Sequence, residues 1–368
     1  MLFIVWGVPM REILSVVYLR AICAVFIVLF HAAGRDDVLG SGPLEQIFAL
    51  GASRVDIFFV ISGFVLFLAT YSRGGEPPGG FLLRRVMRIA PLYWVFTLGL
   101  AIAALGWPKL FPNLKPTAQD IALSLFFIPH FSASRPDKIW PILVQGWALT
   151  YEVIFYCVFA AALFFRRENW LAIIAGSFVS LALVGFVWRP ASAFGITVSD
   201  PVLLEFLGGA LFAQAWINGW RLSMRSAWVL LVLALIGLAG GTWAAQLYEP
   251  LRAAFLGIPA LMIVIACVML DHHRPWRKRR WIHEIGQASY SIYLIHGLVI
   301  SVVARLFVVL KLAHGSTVMG LVFIALCGAT ATGAGIVSWR WLEKPLADWL
   351  KLALAPRPLA VRGSAAAD

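Results

Sequence analysis

The stretch that decides the fold is YLRAICAVFIVLFHAA, residues Tyr18 to Ala33, an apolar segment with two polar side chains, Arg20 and His31. In an α-helix their spacing corresponds to three turns plus about 20°, so both project from one face, with an axial rise of about 16 Å between them. An arginine near the centre of a membrane helix costs on the order of 2.5–3.5 kcal/mol on insertion scales. Ionisable residues that are present in a membrane helix despite this cost are usually functional. Because this helix has both an arginine and a histidine, we predict that it is functional.

The composition predicts an all-α membrane protein. Of the 368 residues, 61% are hydrophobic and only 13% are charged. Apolar runs of about 20 residues, the length of a helix that crosses a bilayer, recur along the chain, and no segment has the two-residue alternation of a membrane β-strand. We therefore predict a polytopic transmembrane helical bundle that forms a single domain over residues 1–345, followed by a tail at 346–368. About ten spans are predicted, at residues 13–33, 48–70, 91–107, 144–165, 169–188, 201–217, 227–245, 254–270, 285–310 and 317–341.

The distribution of basic residues predicts the orientation of the bundle. When the loops are assigned alternately to two sides, one side collects the arginine and lysine runs, and the other has scattered basic residues mixed with acids. By the positive-inside rule both termini, including the tail, are predicted to be cytoplasmic. The net charge of +12 therefore indicates membrane orientation rather than a nucleic-acid partner.

Other features exclude further classes of site. The four cysteines lie singly inside apolar runs without metal-ligand spacing, so we expect neither disulfides nor a metal site. The first nine residues lack a basic region and a cleavage site, so no signal peptide is predicted, and Met10 is an alternative start. The apolar piece Ile121–Pro129 is too short to cross a bilayer and is expected at the surface or as a re-entrant segment.

Three titratable side chains are predicted at similar depths. His31 lies near the outer end of the first span, and Asp56 and Glu152 each lie about eight residues from the outer end of a span that runs inward. An imidazole has an unperturbed pKa near 6.5, which suits a general base. His31 is thus the candidate base, with Asp56 or Glu152 to orient it and Arg20 deeper in the bundle. The alternative is a histidine satisfied by a serine or a backbone carbonyl between helices.

Two further polar groups flank predicted spans. Arg84, Arg85 and Arg88 crowd the cytoplasmic start of the third span, in FLLRRVMRIAPLYW, where Pro91 is predicted to begin the helix. Guanidinium groups bind phosphates bidentately, so this cluster is a candidate site for the nucleotide end of a cofactor. An anchor on lipid headgroups is the alternative.

The ninth span carries SYSIYLIHG, in which Tyr293 and His296 are three residues apart and share a helical face. They are candidates for the same polar site, although a polar seam between helices also explains them. Glu205, in the sixth span, is a further intramembrane carboxylate to which the sequence assigns no partner.

Five motifs, in this order, resemble the acyltransferase family 3 membrane proteins: Arg20 and His31 in LFHA, Val55-Asp56 followed by FFVISGF, RRVMRIAPLYW, GWALTYEVIFY and SYSIYLIHG. The form of the fourth motif is most similar to the exopolysaccharide O-acetyltransferase branch. The resemblance covers residues 14–345. One departure is Arg54, where a glycine commonly precedes the Val-Asp pair; this guanidinium either pairs with Asp56 or lines the acceptor site.

The resemblance implies a multi-pass enzyme of the cytoplasmic (inner) membrane, with no permanently bound cofactor. Acyl-CoA, by default acetyl-CoA, would donate the acyl group from the cytoplasm to a sugar hydroxyl of an exopolysaccharide, another cell-surface glycan or a lipid-linked sugar. Arg20 and His31 would be the catalytic pair, Arg85 and Arg88 would bind the donor, and Glu152 belongs to the acidic motif. The competing hypothesis is a transporter or flippase that uses the same buried charges, although the spans show no evident inverted repeat.

Overall fold

The computed structural model describes residues 12–40, 43–48, 51, 53–248, 251–313 and 316–353. Within these ranges the structure is all-helical, as predicted, with no strand beyond an isolated bridge between Ser132 and Arg135. The α-helices are α1 Leu14–Ala33, α2 Asp36–Leu39, α3 Pro43–Phe48, α4 Arg54–Ser72, α5 Pro78–Gly106, α6 Ala118–Leu125, α7 Gly146–Ala162, α8 Trp170–Trp188, α9 Ala193–Val198, α10 Leu203–Ile217, α11 Met224–Leu247, α12 Arg252–His273, α13 Arg280–Val309, α14 Thr317–Ser338 and α15 Lys344–Ala353. A π-helical turn at Trp339–Glu343 joins the last two.

The described residues contain nine helical segments long and apolar enough to cross a membrane. They correspond to nine of the ten predicted spans, and the polytopic helical bundle is confirmed. The remaining predicted span, 144–165, corresponds to α7, which has 17 residues and falls just short of this length. The predicted short piece is also confirmed as short, because α6 has only eight residues.

The third span begins earlier than predicted. We expected Pro91 to begin the helix, but α5 runs unbroken from Pro78 and contains Pro91 in its interior. Pro78 takes the position in the first turn where a missing N–H costs least. An internal proline is tolerated in a membrane helix because neighbouring groups satisfy the carbonyl that it leaves free. The arginine cluster therefore lies within α5 and not before it.

The centre of the bundle is built on close helix contacts. In α4, 78% of the most apolar window is buried, against 17% in the segment that contains α8, so α4 is central and α8 lies at the lipid-facing edge. The backbones of α4 and α10 almost touch: a Cβ atom at Gly63 would overlap the carbonyl oxygen of Phe206, and one at Gly209 would overlap that of Val60. Small residues are typical of such contacts between membrane helices, because they let the two backbones approach closely and the helices associate through van der Waals packing.

The first span packs beside α13 and α14. Arg20 contacts Ser289 and His31 contacts the later His296, so α1 and α13 run parallel. At the start of α1 the backbone N–H of Ser15 donates to Asp271 Oδ2 at 2.9 Å, and Tyr18 Oη donates to the carbonyl oxygen of Arg277 at 2.7 Å. We call the end of the bundle at which α1 begins the Arg84 end. The opposite end, where α1 finishes, is the His31 end. Met10 and residues 354–368 of the predicted tail lie outside the described residues, and α15 crosses the predicted tail boundary at 345/346.

Candidate active site

The polar side chains of α1 face α13 at two heights. Arg20 Nη2 donates to Ser289 Oγ at 2.8 Å, and both side chains are buried. Eleven residues later, the His31 ring stacks on the ring of His296, with centroids 5.1 Å apart and planes inclined by 22°. Both contacts are made with α13, in agreement with the one-face geometry predicted for Arg20 and His31.

The hydrogen-bond partner of His31 is Arg54. Its Nη2 lies 2.9 Å from His31 Nε2, and its Nη1 donates to the carbonyl oxygen of Gly51. The guanidinium also lies over the Phe30 ring, 4.8 Å from the centroid. A guanidinium has no acceptor lone pair, so His31 Nε2 must be the acceptor, and in the neutral ring the proton is then on Nδ1. Arg54 therefore fixes both the orientation and the tautomer of His31.

The prediction that Asp56 orients His31 is wrong. Asp56 Oδ1 lies 3.0 Å from Arg252 Nη1, and Arg252 Nη2 donates to its Oδ2 at 3.1 Å. Residues two apart on a helix point about 200° apart, so when Arg54 faces α1, Asp56 faces away from it, toward α12. The alternative that Arg54 pairs with Asp56 is excluded by the same geometry.

The prediction that Glu152 lies at the height of His31 is also wrong. Gln145, just before α7, accepts a hydrogen bond from Tyr293 Oη through its carbonyl oxygen at 2.6 Å. Glu152 is about 10 Å further along α7 toward the Arg84 end. There it accepts a hydrogen bond from Tyr156 Oη, and its charge acts on Arg20 rather than on His31.

A central cavity lies beside Arg20, Glu152 and Tyr293. It has about 900 Å³ of space between its side chains, including the part that is open to the outside. Apolar side chains of α4 and α7 form much of its wall. Its polar lining consists of Arg20, Ser62, Arg85, Arg88, Glu152, Tyr156, Ser289, Tyr290 and Tyr293.

The arginines of α5 divide into two groups. Arg85 and Arg88 line the central cavity. Arg84 points about 100° away from Arg85 around the helix and forms an ion pair with Glu76 outside the cavity. The prediction that all three guanidinium groups converge is therefore wrong for Arg84.

Tyr293 and His296 connect the cavity with His31. His296 Nδ1 donates to the carbonyl oxygen of Tyr293 at 2.6 Å, and the two rings have centroids 5.9 Å apart. Because Tyr293 lines the central cavity and His296 stacks on His31, one turn of α13 spans the distance between the cavity and the histidine.

Sequence reasoning missed several partners. Glu343, in the π-helical turn, accepts a hydrogen bond from Ser291 Oγ at 2.7 Å and acts electrostatically on Arg20. Arg252 pairs with Asp56, and Glu205 interacts with both of them. Among the described residues neither Glu205 oxygen has a hydrogen-bond donor. The sequence feature that could have pointed to Glu343 is that it is the one acidic residue in the basic segment WRWLEKP.

The helical bundle and its charged interior cavity define a multi-pass membrane protein with an internal polar site, and the comparison with known families specifies the class. A family model described as "Acyltransferase domain" matches residues 13–339. The chain belongs to this family, acyltransferase family 3, and is an acyltransferase. This favours the enzyme over the transporter or flippase.

Two relatives make the comparison more specific. The chain is 36% identical over 320 residues to "Exopolysaccharide production protein ExoZ" of Rhizobium meliloti (strain 1021), an alignment that covers 86% of this chain and 94% of that protein. It is 28% identical over 322 residues to "Acyltransferase MdmB" of Streptomyces mycarofaciens, with 78% of each chain covered. No solved structure matches the chain.

Proposed function

We propose that this protein transfers an acyl group, by default acetyl, from cytoplasmic acyl-CoA to a sugar hydroxyl of an exopolysaccharide or a related cell-surface glycan. One observation carries the proposal: a cavity with two arginines at one end leads past a buried arginine to the turn of α13 that holds the His31–His296 pair. The similarity to an exopolysaccharide production protein supports the class of acceptor. The positive-inside rule supports an inner-membrane protein with both termini in the cytoplasm.

Arg85 and Arg88 bind the donor in this proposal. Their guanidinium groups lie at the Arg84 end, which is the cytoplasmic end by the charge distribution, and they suit the phosphates of coenzyme A. The acyl-bearing arm then extends along the central cavity past Arg20, which Ser289 holds in place. The apolar wall of α4 and α7 excludes water from the thioester.

His31 acts as the general base. The acceptor hydroxyl takes the place of the Arg54 donor at Nε2 and gives its proton to that nitrogen. The hydroxyl oxygen bonds to the acyl carbon, the carbon–sulfur bond breaks, and the proton passes to the departing thiolate, which leaves as coenzyme A. The displaced guanidinium of Arg54 is one donor for the negative charge that develops on the carbonyl oxygen.

The test is acyl transfer in inside-out membrane vesicles supplied with labelled acetyl-CoA. We expect His31→Ala to lower transfer to the glycan by at least about 100-fold, the lower range for loss of a general base. His272→Ala is the matched control, because that histidine is exposed and lies at the opposite end of the bundle. Transfer at the native rate by a correctly inserted His31→Ala variant would remove His31 from the chemistry.

A further inference from the structure

A second cavity opens at the His31 end of the bundle. It lies between the segment 124–141, the start of α7 and Thr197 of α9, and we call it the loop cavity. Including its mouth it has about 660 Å³ of space. None of its lining residues lines the central cavity.

The lining of the loop cavity combines aromatic faces with hydroxyl groups. The rings belong to Phe127, Trp140, Trp147 and Tyr151, and one of the hydroxyl groups belongs to Thr150. A pyranose ring has the complementary surface, because its C–H faces stack on aromatic rings while its hydroxyls form hydrogen bonds around the edge. This lining therefore suits a saccharide better than a purely apolar or a charged ligand.

One buried polar atom in the lining has no hydrogen-bond partner among the described residues and faces a carboxylate at ion-pair distance. The His130 side chain is only 9% exposed, and its Nδ1 donates to the carbonyl oxygen of Ile128 at 2.8 Å. Among the described residues its Nε2 has no hydrogen bond, since the nearest carboxylate oxygen, of Asp120, is 3.8 Å away. In the neutral ring this nitrogen is an acceptor. Buried polar atoms almost always have a partner, and a sugar hydroxyl would supply the missing donor.

The backbone around the cavity is held in an unusual conformation. Phe127 has φ 57°, in the left-handed region that non-glycine residues rarely adopt. This is the left-handed position that ends α6, and the N–H of Phe127 donates to the carbonyl oxygen of Ser124 at 3.1 Å, as in a common helix C-cap. The Phe127 ring stacks on Tyr93, with ring centroids 5.0 Å apart, and the N–H of Ile142 donates to Ser124 Oγ at 3.0 Å, so local bonds and ring packing fix this wall of the cavity.

The loop cavity lies next to the candidate catalytic residues. Phe59 lines the central cavity, and its ring centroid is 6.3 Å from that of Trp147 and 6.1 Å from that of Tyr151. The two cavities therefore share a wall. The turn that begins α7 is also bonded to α13 through Tyr293, three residues before His296.

We propose that the loop cavity binds a saccharide residue of the acceptor glycan, next to the residue whose hydroxyl reaches His31. The identity of this ligand as the acceptor rests on the proposed function. The assignment of the cavity as a saccharide site rests only on its lining residues.

The test is saccharide binding to the full-length protein in detergent, without acyl donor. The probe is a mixture of oligosaccharides released by partial acid hydrolysis from the exopolysaccharide of the producing strain and de-O-acylated with alkali. We expect Trp140→Ala and His130→Gln each to weaken binding by about tenfold and to leave the binding of coenzyme A unchanged. Trp107→Ala is the matched control, since Trp107 is 62% exposed at the same end and lies outside the cavity.

A third variant distinguishes a specific loss of saccharide binding from misfolding. Ile139→Trp fills the loop cavity without removing a polar contact, and it should abolish binding in a protein that elutes as the native one does. Native affinity in all three variants, or no oligosaccharide binding by the native protein, overturns the proposal. If the native protein transfers no acyl group but its oligosaccharide binding still falls in these variants, the saccharide site stands and the proposed function fails.

Discussion

Replacing Arg54 is expected to slow acyl transfer without weakening donor binding. Arg54 is buried, and it is the hydrogen-bond donor to His31 Nε2 at 2.9 Å. Arg54→Met removes this bond and the bond to Gly51, together with the donor that would face the developing oxyanion. A hydrogen bond to a charged group contributes about 1.5–3 kcal/mol, which corresponds to about a 10- to 160-fold change in rate.

The assay separates the chemical step from donor binding. In vesicles with labelled acetyl-CoA and saturating glycan, we expect kcat to fall by this factor. The KM for acetyl-CoA should stay within about twofold, because Arg54 does not line the central cavity. Arg54→Lys keeps the positive charge but cannot form both bonds at once, so its rate should lie between those of the native protein and Arg54→Met.

Arg35→Met is the matched control at the same end of the bundle. Arg35 is paired with Asp37 at 2.6 Å and is partly exposed, and loss of such a surface pair should change the rate by less than about twofold. A native kcat in a properly inserted Arg54→Met variant would show that the contact with His31 has no part in transfer. A raised KM for acetyl-CoA with an unchanged kcat would place Arg54 at the donor site instead.

Three further changes test other parts of the structure. Arg88→Gln should raise the KM for acetyl-CoA by about tenfold, whereas Arg84→Gln should change it by less than about threefold, because Arg88 lines the cavity and Arg84 does not. Gly63→Val should destabilise the protein by about 1–3 kcal/mol in thermal unfolding, because the side chain would overlap the Phe206 carbonyl. Burial tends to raise the pKa of Glu12, but hydrogen bonds from a histidine and a lysine lower it below the usual range. The stability that its carboxylate contributes is thus present at neutral pH and lost as the pH falls through the lowered pKa, so Glu12→Gln should unfold at a lower temperature than the native protein at pH 7, and this difference should disappear as the pH falls through that pKa.

Each of these predictions has a matched control. Gly99→Ala adds a side chain where the space is open, so it should not destabilise. Glu168→Gln removes an exposed carboxylate and should leave the unfolding temperature at pH 7 unchanged. Equal KM values in the two arginine variants, an unchanged unfolding temperature in Gly63→Val, or a pH-independent effect of Glu12→Gln would each contradict the corresponding interpretation.

The fold class could be predicted from the sequence, and so could the position of Arg20 and His31 on one face of α1 at two heights. Helical periodicity and apolar length are local properties. The sequence did not allow the partner of His31 to be predicted. Whether Arg54 or Asp56 faces α1 depends on the rotation of α4 about its own axis, and that rotation is set by the contact between Gly63 and Phe206 on α10. No local pattern encodes this contact.

The depth of Glu152 and the direction of Arg84 were predicted incorrectly for related reasons. Counting residues from a predicted span end places Glu152 beside His31, but α7 already begins at the level of Tyr293. Helical spacing groups Arg84 with Arg88, but an acid in the preceding loop, Glu76, draws Arg84 away. Both outcomes depend on how loops position helices, which periodicity does not determine.

The packing of α1 against α13 sets an order of events during synthesis. Arg20 and its partner Ser289 are 269 positions apart, so at about 5–20 residues per second the ribosome needs roughly 13–54 s to make the partner after Arg20 itself. Throughout that interval α1 holds a guanidinium in or near the bilayer without the serine that later binds it. A nascent chain interrupted before α13 therefore has Arg20 and His31 but neither Ser289 nor His296, with which they pair. The two polar side chains of α1 gain these partners only when most of the protein has been made.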